Sequence, residues 1–291
     1  MKAIIKALCC AAMTLVVFSS CGSGGDKAPD SSVSTGDSAA QITAAAQTTQ
    51  PASVEVKAAV DVPKQTRPEI NDKRSDPADP NDATGFVSVT DVIPDALLDI
   101  RYYSTYNFVG ERINGYEQPV ALISKEAASA LKTAADKLRE QGYRIKIYDA
   151  YRPQSAVDHF ASWAGDPSDT KMKKYFYPEL DKSALFDLGY IAYRSGHSRG
   201  GTVDLTLFDM DAGKDADMGG TFDYFGERSR SDHSGLTEEQ RENRNTLKDA
   251  MISSGFEAFY SEWWHFSLAN EPYPDTYFDF PVSLESLKTE K

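Results

Sequence analysis

The stretch SGHSRGGTVDLTLF, residues 195–208, joins two kinds of sequence. Its first half, Ser195 to Gly201, has the glycines and small polar residues of a loop. Its second half, TVDLTLF at 202–208, alternates with the period of a β-strand. Val203, Leu205 and Leu207 point one way; Thr202, Asp204 and Thr206 point the other. A loop histidine, His197, therefore feeds directly into a strand that carries an acid, Asp204. A carboxylate in such a strand is costly unless it is paired, hydrogen-bonded or bound to a metal.

Around this strand, helices and strands mix without a regular repeat. From Ser124 to Gln141, Ala127, Leu131, Ala134, Ala135 and Leu138 fall on one helical face, with Ser124 placed to cap the start and Gly142 to stop the helix. YRIKIYDA (143–150) alternates as a strand, with Ile145 and Ile147 on one face. YRPQSAVDHFASWA (151–164) turns at Pro153 and enters a helix. A second long helix is expected from Glu238 to Ser254, ending at Gly255. FVSVTDVI (86–93) reads as a strand or extended lead-in, LLDIRYYS (97–104) as a second strand, NFVGERINGY (107–116) as a loop or hairpin, and FEAFYSEWWHFSLA (256–269) as a final strand region. This mixture predicts an α+β fold: a single catalytic domain over residues 85–291, with a mostly antiparallel central sheet flanked by helices.

The formal charge of −13 argues against binding to a phosphate backbone, which depends on Lys and Arg, so no nucleic-acid partner is expected. All three cysteines, Cys9, Cys10 and Cys21, fall in the first 21 residues. The folded part thus has neither a disulfide nor a thiolate site, and any metal there must be held by His and carboxylate. Lys2 and Lys6, the apolar run Ala7–Phe18 and the small Ser19 and Ser20 form a secretory signal over residues 1–20. The apolar run is short of the roughly 20 residues that a membrane span needs. Cys21 directly after Ser19-Ser20 resembles a bacterial lipobox, whose cysteine is lipidated, although Phe18 stands where Leu is usual. The expectation is an exported lipoprotein of the bacterial envelope, membrane-anchored through Cys21 and facing the periplasm or cell surface. Residues 21–84 are rich in Ala, Ser, Thr, Gln, Asp and Pro and poor in aromatics. Such a segment cannot bury enough apolar surface to offset its chain entropy and is expected to be a disordered tether.

Of the four histidines, His159 reads as a packing residue in its helix and His233 as a solvated loop residue. His197 with Asp204 is a pair that a loop histidine and a strand-edge acid would also give. His265, in SEWWHF (261–266), would by itself read as a core histidine. Taken together, His197, Asp204 and His265 can supply three ligands to Zn²⁺ and leave one tetrahedral position open, as catalytic sites do. Glu262, three residues before His265, can take a proton from water at such a site and return it to a leaving amine. Arg152 follows a strand end, and Pro153 fixes the turn after it; its planar fork suits a developing oxyanion, or it pairs with Asp149 at the surface. On a flat strand, residues three apart face opposite sides. Glu262 and His265 can serve one metal only if SEWWHF bulges, twists strongly or has its strand end near Glu262. Trp264 is expected to anchor this stretch in the core and Trp263 to wall the pocket.

Several long stretches resemble the bacterial D-alanyl-D-alanine dipeptidases, zinc peptidases of the D,D-carboxypeptidase superfamily. They are DIRYYSTYNFVG (99–110), YDAYRPQSAV (148–157), SGHSRGGTVDLTL (195–207), GGTFDYFGERS (219–229), GFEAFYSEWWHF (255–266) and EPYPDTYFDFPV (271–282). They span essentially the whole folded part. The resemblance implies a hedgehog/D,D-peptidase-like fold and one zinc ion per chain, with His197, Asp204 and His265 as ligands. It implies Glu262 as catalytic base and Arg152 as the oxyanion's partner. It places Asp223 on the substrate's ammonium and Tyr102 and Ser195 on further substrate contacts, with Asp149 orienting Arg152 from behind. The implied reaction is hydrolysis of the dipeptide D-Ala-D-Ala to two D-alanines in cell-wall peptide metabolism. Gly196 departs from the pattern, since family members often carry a second serine there. Two other functions stay open at this level: a D,D- or L,D-carboxypeptidase trimming peptidoglycan stem peptides, and a non-catalytic lipoprotein that binds wall peptides.

Overall fold

The alternation at 202–208 becomes the strand on which the domain is built. The computed structural model describes residues 79–288; the signal segment, Cys21 and nearly all of the expected tether lie outside the described residues. The chain forms β1 (Phe86–Ser88), a helical turn α1 (Val89–Val92) and β2 (Leu97–Leu98). Next come β3 (Leu122–Ser124), α2 (Lys125–Glu140), β4 (Tyr143–Asp149), α3 (Gln154–Gly165) and the short α4 (Lys173–Phe176). After them follow β5 (Thr202–Asp209), β6 (Lys214–Asp215), α5 (Glu238–Ile252), β7 (Phe256–Ala258) and β8 (His265–Leu268). β1 and β3 pair antiparallel as a small sheet of their own. The main sheet runs β2-β4-β5-β8-β7, with β6 paired to the end of β5. Only β2 and β4 run parallel, so the α+β class and the mostly antiparallel sheet match the sequence expectation.

The core follows from apolar periodicity. On α2, Ala127, Leu131, Ala134, Ala135 and Leu138 are buried, and the Ser124 hydroxyl caps the start by accepting from the Ala127 N–H. α5 begins with a reciprocal capping box between Thr237 and Gln240. Ile145, Ile147, Val203, Leu205 and Leu207 give the sheet one apolar face, and all five are buried. Thr202, Asp204 and Thr206, on the other face, are buried as well. That second face is therefore covered too, by the segments that carry the candidate site.

Four stretches differ from their sequence reading. In 86–93 the strand stops at Ser88 and a helical turn follows. In 97–104 it stops at Leu98; Asp99 and Arg101 still donate to the Ile147 and Tyr148 carbonyls, but Tyr103 turns back onto Ile100. The chain then wraps around the buried Asn107, whose side-chain amide donates to the carbonyls of Arg101, Ser104 and Glu111. The final strand region is two strands, β7 and β8, with residues 259–264 turning between them. Residues 79–84, at the end of the expected tether, pack on the domain: Ala83 is buried, and Asp279 donates to the Pro80 carbonyl.

Gly200 closes the turn that carries His197. It has φ +76, and a Cβ there would stand 2.3 Å from Cε1 of Phe86, whose ring is packed against Tyr151, Phe278 and Phe280. A left-handed alanine and a clash with a fixed ring together cost roughly 2–4 kcal/mol. Gly200→Ala is therefore expected to lower the unfolding free energy, read from urea titration, by that amount; an unchanged value would show that the Phe86 cluster yields.

Candidate active site

The site begins with a register shift. β4 and β5 pair regularly from Tyr143↔Asp209 to Ile147↔Leu205, then slip, so that Asp149 and not Tyr148 stands opposite Asp204. Residues directly opposite in an antiparallel pair share a face, and a one-residue slip exchanges faces. Without the bulge, Asp149 would point with Val203 into the apolar layer. With it, Asp149 joins Asp204 on the polar face. On the other side of β5, the pairing places His265 opposite Asp204. One rung across three strands thus carries Asp149, Asp204 and His265.

His197 comes to this rung from the 3-10 turn Gly196–Arg199. Its Nδ1 lies 2.6 Å from the Ala150 carbonyl, which can only accept, so Nδ1 carries the hydrogen and Nε2 offers its lone pair. That Nε2 lies 3.2 Å from Asp204 Oδ2 and 3.3 Å from His265 Nδ1. His265 Nδ1 is 3.0 Å from Asp204 Oδ1. Tetrahedral ligands about 2.0–2.1 Å from one ion stand about 3.3–3.4 Å from each other, so these three side chains fit a single metal ion. Asp204 Oδ1 is buried with no well-aligned hydrogen bond, which leaves it open to a ligand. Burial alone would raise the Asp204 carboxyl, but the two imidazoles beside it outweigh burial and hold it below the ordinary range.

Glu262 reaches the same place from the turn before β8. Its N–H donates to the Phe259 carbonyl, its own carbonyl accepts from the His265 N–H, and the strand starts only at His265. Oε2 stands 3.6 Å from His265 Nδ1. Glu262 and His265 face one site because the strand ends between them, which is one of the three ways the sequence allowed. Burial pushes the Glu262 carboxyl up to about 6, against the opposing pull of His265. Trp264 is 1% exposed and packs edge-on against Phe222, and Trp263 is buried at right angles to it.

Arg152 is not a surface residue. Its Nε donates to Asp149 at 2.8 Å and its Nη2 lies 3.5 Å from Asp204 Oδ2, with the guanidinium over the rings of Tyr102 and Phe160. Asp149 is fully buried and also accepts from the Tyr116 hydroxyl at 2.5 Å. Tyr116 was not singled out in the sequence, because nothing in its loop marks it. Asp223 is buried in a left-handed conformation, φ +59, and accepts from the Tyr102 hydroxyl at 3.0 Å. Among the described residues, no cationic side chain lies within ion-pair distance of Asp223, and burial, then the nearby Asp204, push its carboxyl well above the ordinary range.

Ser195 is placed as a cap, its hydroxyl accepting from the His197 N–H at 3.3 Å. A Cβ on Gly196 would stand 2.8 Å from Thr202 Oγ1, which is itself bonded to Ser267. The space a serine would need there is filled. Arg199 anchors the same turn through a two-point pair with Glu271. His159 ties α3 to the Asn107 loop through the Asn114 N–H and Glu111, away from the cluster.

A rung of the sheet and a loop that together gather three ligand atoms, with a glutamate beside them, place this protein among the metallopeptidases. Within that class the chain belongs to the D-ala-D-ala dipeptidase family, whose model matches residues 82–283. A D-alanyl-D-alanine dipeptidase of Enterococcus faecalis is 41% identical over 199 residues, 68% of this chain and 98% of that protein. Relatives of the same description from Enterococcus faecium and Streptomyces coelicolor are 39% and 38% identical over 198 residues, with the same coverage.

Removing the Asp149 carboxylate would leave the Tyr116 hydroxyl without its acceptor and the buried Arg152 guanidinium with Asp204, at 3.5 Å, as its remaining carboxylate partner. Asp149→Ala is therefore expected to cost about 3 kcal/mol, read as a fall in melting temperature on the order of 10 °C. A melting temperature within about 2 °C of the wild type would contradict this account of the rung.

Proposed function

We propose that this protein hydrolyses D-alanyl-D-alanine to two D-alanines, with one zinc ion held by His197, Asp204 and His265. The observation that carries this is the meeting of three ligand atoms 3.0–3.3 Å apart with a buried acid, Asp223, that among the described residues has no cation within ion-pair distance. Zinc, when bound, polarises the scissile carbonyl and brings the pKa of a bound water to about 7. Glu262 takes the proton of the attacking water as its oxygen adds to the amide carbon. As the C–N bond breaks, Glu262 returns that proton to the departing amine. Arg152, held rigid by Asp149, presents its Nη donors to the oxyanion that develops on the former carbonyl. Asp223, with Tyr102 hydrogen-bonded to it, receives the substrate's free ammonium, and Ser195, which caps the turn carrying His197, is a further substrate contact.

The ammonium contact separates this activity from trimming of stem peptides. An N-acylated substrate offers Asp223 no cation and leaves a buried carboxylate unpaired, a loss of a few kcal/mol. With the purified zinc protein, D-Ala-D-Ala is expected to be cleaved at least about 100-fold more efficiently than N-acetyl-D-Ala-D-Ala. Equal cleavage of both would favour the carboxypeptidase reading, and no cleavage of either the binding-protein reading. Glu262→Ala is expected to lower kcat by about 10²–10⁴-fold while the zinc content stays near one per chain. Near-native turnover would remove Glu262 as the base.

The N-terminal reading is part of the same proposal: export, lipidation at Cys21 and a tether that leaves the domain on the envelope. Its support is the order of basic, apolar and small residues before Cys21. Among the described residues, no helix is long and apolar enough to cross a membrane. Cys21→Ser is expected to move the protein from the membrane fraction to the soluble fraction; an unchanged membrane fraction would rule out the lipid anchor.

A further inference from the structure

Arg244 lies on α5 and is only 4% exposed, yet among the described residues no carboxylate stands within ion-pair distance of it. Burial lowers its pKa to about 10, with Asp217 the one opposing charge. Asp217 is already engaged, accepting from the Gln240 side chain and the Gly219 N–H. A buried cation without a counter-ion is an expensive occupant, and a hydrophobic residue of similar volume is often the more stable one. Its donors go to backbone. Nε donates to the Met218 carbonyl at 2.7 Å, Nη1 to Arg230 at 2.7 Å and Nη2 to Arg228 at 2.9 Å. Its helix neighbour Asn243 adds a bond to the Asp217 carbonyl.

These contacts hold both ends of one segment, 217–230, whose middle carries Phe222 and the left-handed Asp223. Phe222 packs between Tyr148 and Trp264. The same guanidinium lies 5.6 Å from the ring centroid of Trp263, the residue after Glu262, and the Trp263 N–H donates to the Ser229 carbonyl. One side chain thus touches the loop that carries Asp223 and the turn that carries Glu262. A guanidinium suits this place because its planar fork can reach three carbonyls at once, which a lysine ammonium on its flexible stem does less well.

We propose that Arg244 is a positioning residue of the peptidase: it fixes the Asp223 loop and the Glu262 turn at one separation, and so aligns a substrate gripped by its ammonium with the base. This rests on the roles proposed above for Asp223 and Glu262. Arg244 acts through backbone, so its loss should disturb substrate binding and selectivity more than metal content.

The test compares full-length, zinc-loaded Arg244→Met and Arg244→Lys with the wild type. It reads kcat and KM for D-Ala-D-Ala, preference over N-acetyl-D-Ala-D-Ala, zinc content, circular dichroism and amide hydrogen exchange. In Arg244→Met, zinc and circular dichroism are expected to stay native, exchange to quicken within 218–230, and KM to rise at least about tenfold. Preference for the free-amino substrate should fall by a similar factor, and Arg244→Lys should recover part of both. A folded Arg244→Met with native KM, preference and exchange would overturn the proposal. So would loss of zinc and of exchange protection across the whole domain in both variants, since Arg244 would then support the fold at large. If the wild type fails to cleave D-Ala-D-Ala, the functional reading falls by itself, and exchange within 218–230 still decides whether Arg244 holds the loop.

Discussion

The rung Asp149–Asp204–His265 is the constraint on which the site depends. It exists because β4 carries one extra residue, Tyr148, and so delivers Asp149 opposite Asp204 on the face away from the apolar layer. The bulge has a second consequence. The Tyr148 carbonyl accepts from Arg101, which draws the chain after β2 along β4 before it turns, and Tyr102 follows into the core against Asp223. A local irregularity in one strand thus sets Asp149 beside the Asp204–His265 pair and the Tyr102 phenol beside Asp223.

Charge makes the site work as a receiver. Asp149, Asp204, Asp223 and Glu262 are buried or nearly so, and Arg152 is the one permanent cation among them. Four carboxylates against one guanidinium leave an excess of three negative charges when all are ionised, in surroundings where an unmatched charge is costly. A divalent ion at the His197–Asp204–His265 cluster would offset two of them. In the protein alone, burial raises the carboxyls of Asp149, Asp223 and Glu262, as expected of acids waiting for cations. Packing then gives these groups fixed positions: Phe222, next to Asp223 in the chain, packs between Tyr148 and Trp264, and Tyr102 and Phe160 lie against Arg152.

Much of this was legible in the sequence where a single periodicity decides. The alternation of β5 gave both the strand and the face of Asp204, and α2 followed from its apolar face and its Ser124 cap. SEWWHF posed a geometric problem that strand periodicity alone could not solve, and the chain solves it by starting β8 at His265. What stayed hidden depends on register and tertiary contact. No residue type at 147–149 announces a bulge, because the slip is decided by what stands across on β5. Leu97–Ser104 reads as a strand, but Asn107 and its three carbonyls turn it aside. Arg244 reads as one more charge on a polar helix, and only the carbonyls folded over it show otherwise.

We propose that one rung and one loop build a three-ligand metal site, with Glu262 beside the metal and not bound to it. X-ray absorption at the zinc edge, combined with anomalous diffraction from crystals of the zinc protein, tests it most directly. The account predicts one zinc per chain, four-coordinate, with His197, Asp204 and His265 as its protein ligands at about 2.0–2.2 Å and a fourth, non-protein oxygen. Zinc bound directly by Glu262, or located away from these three residues, would contradict it.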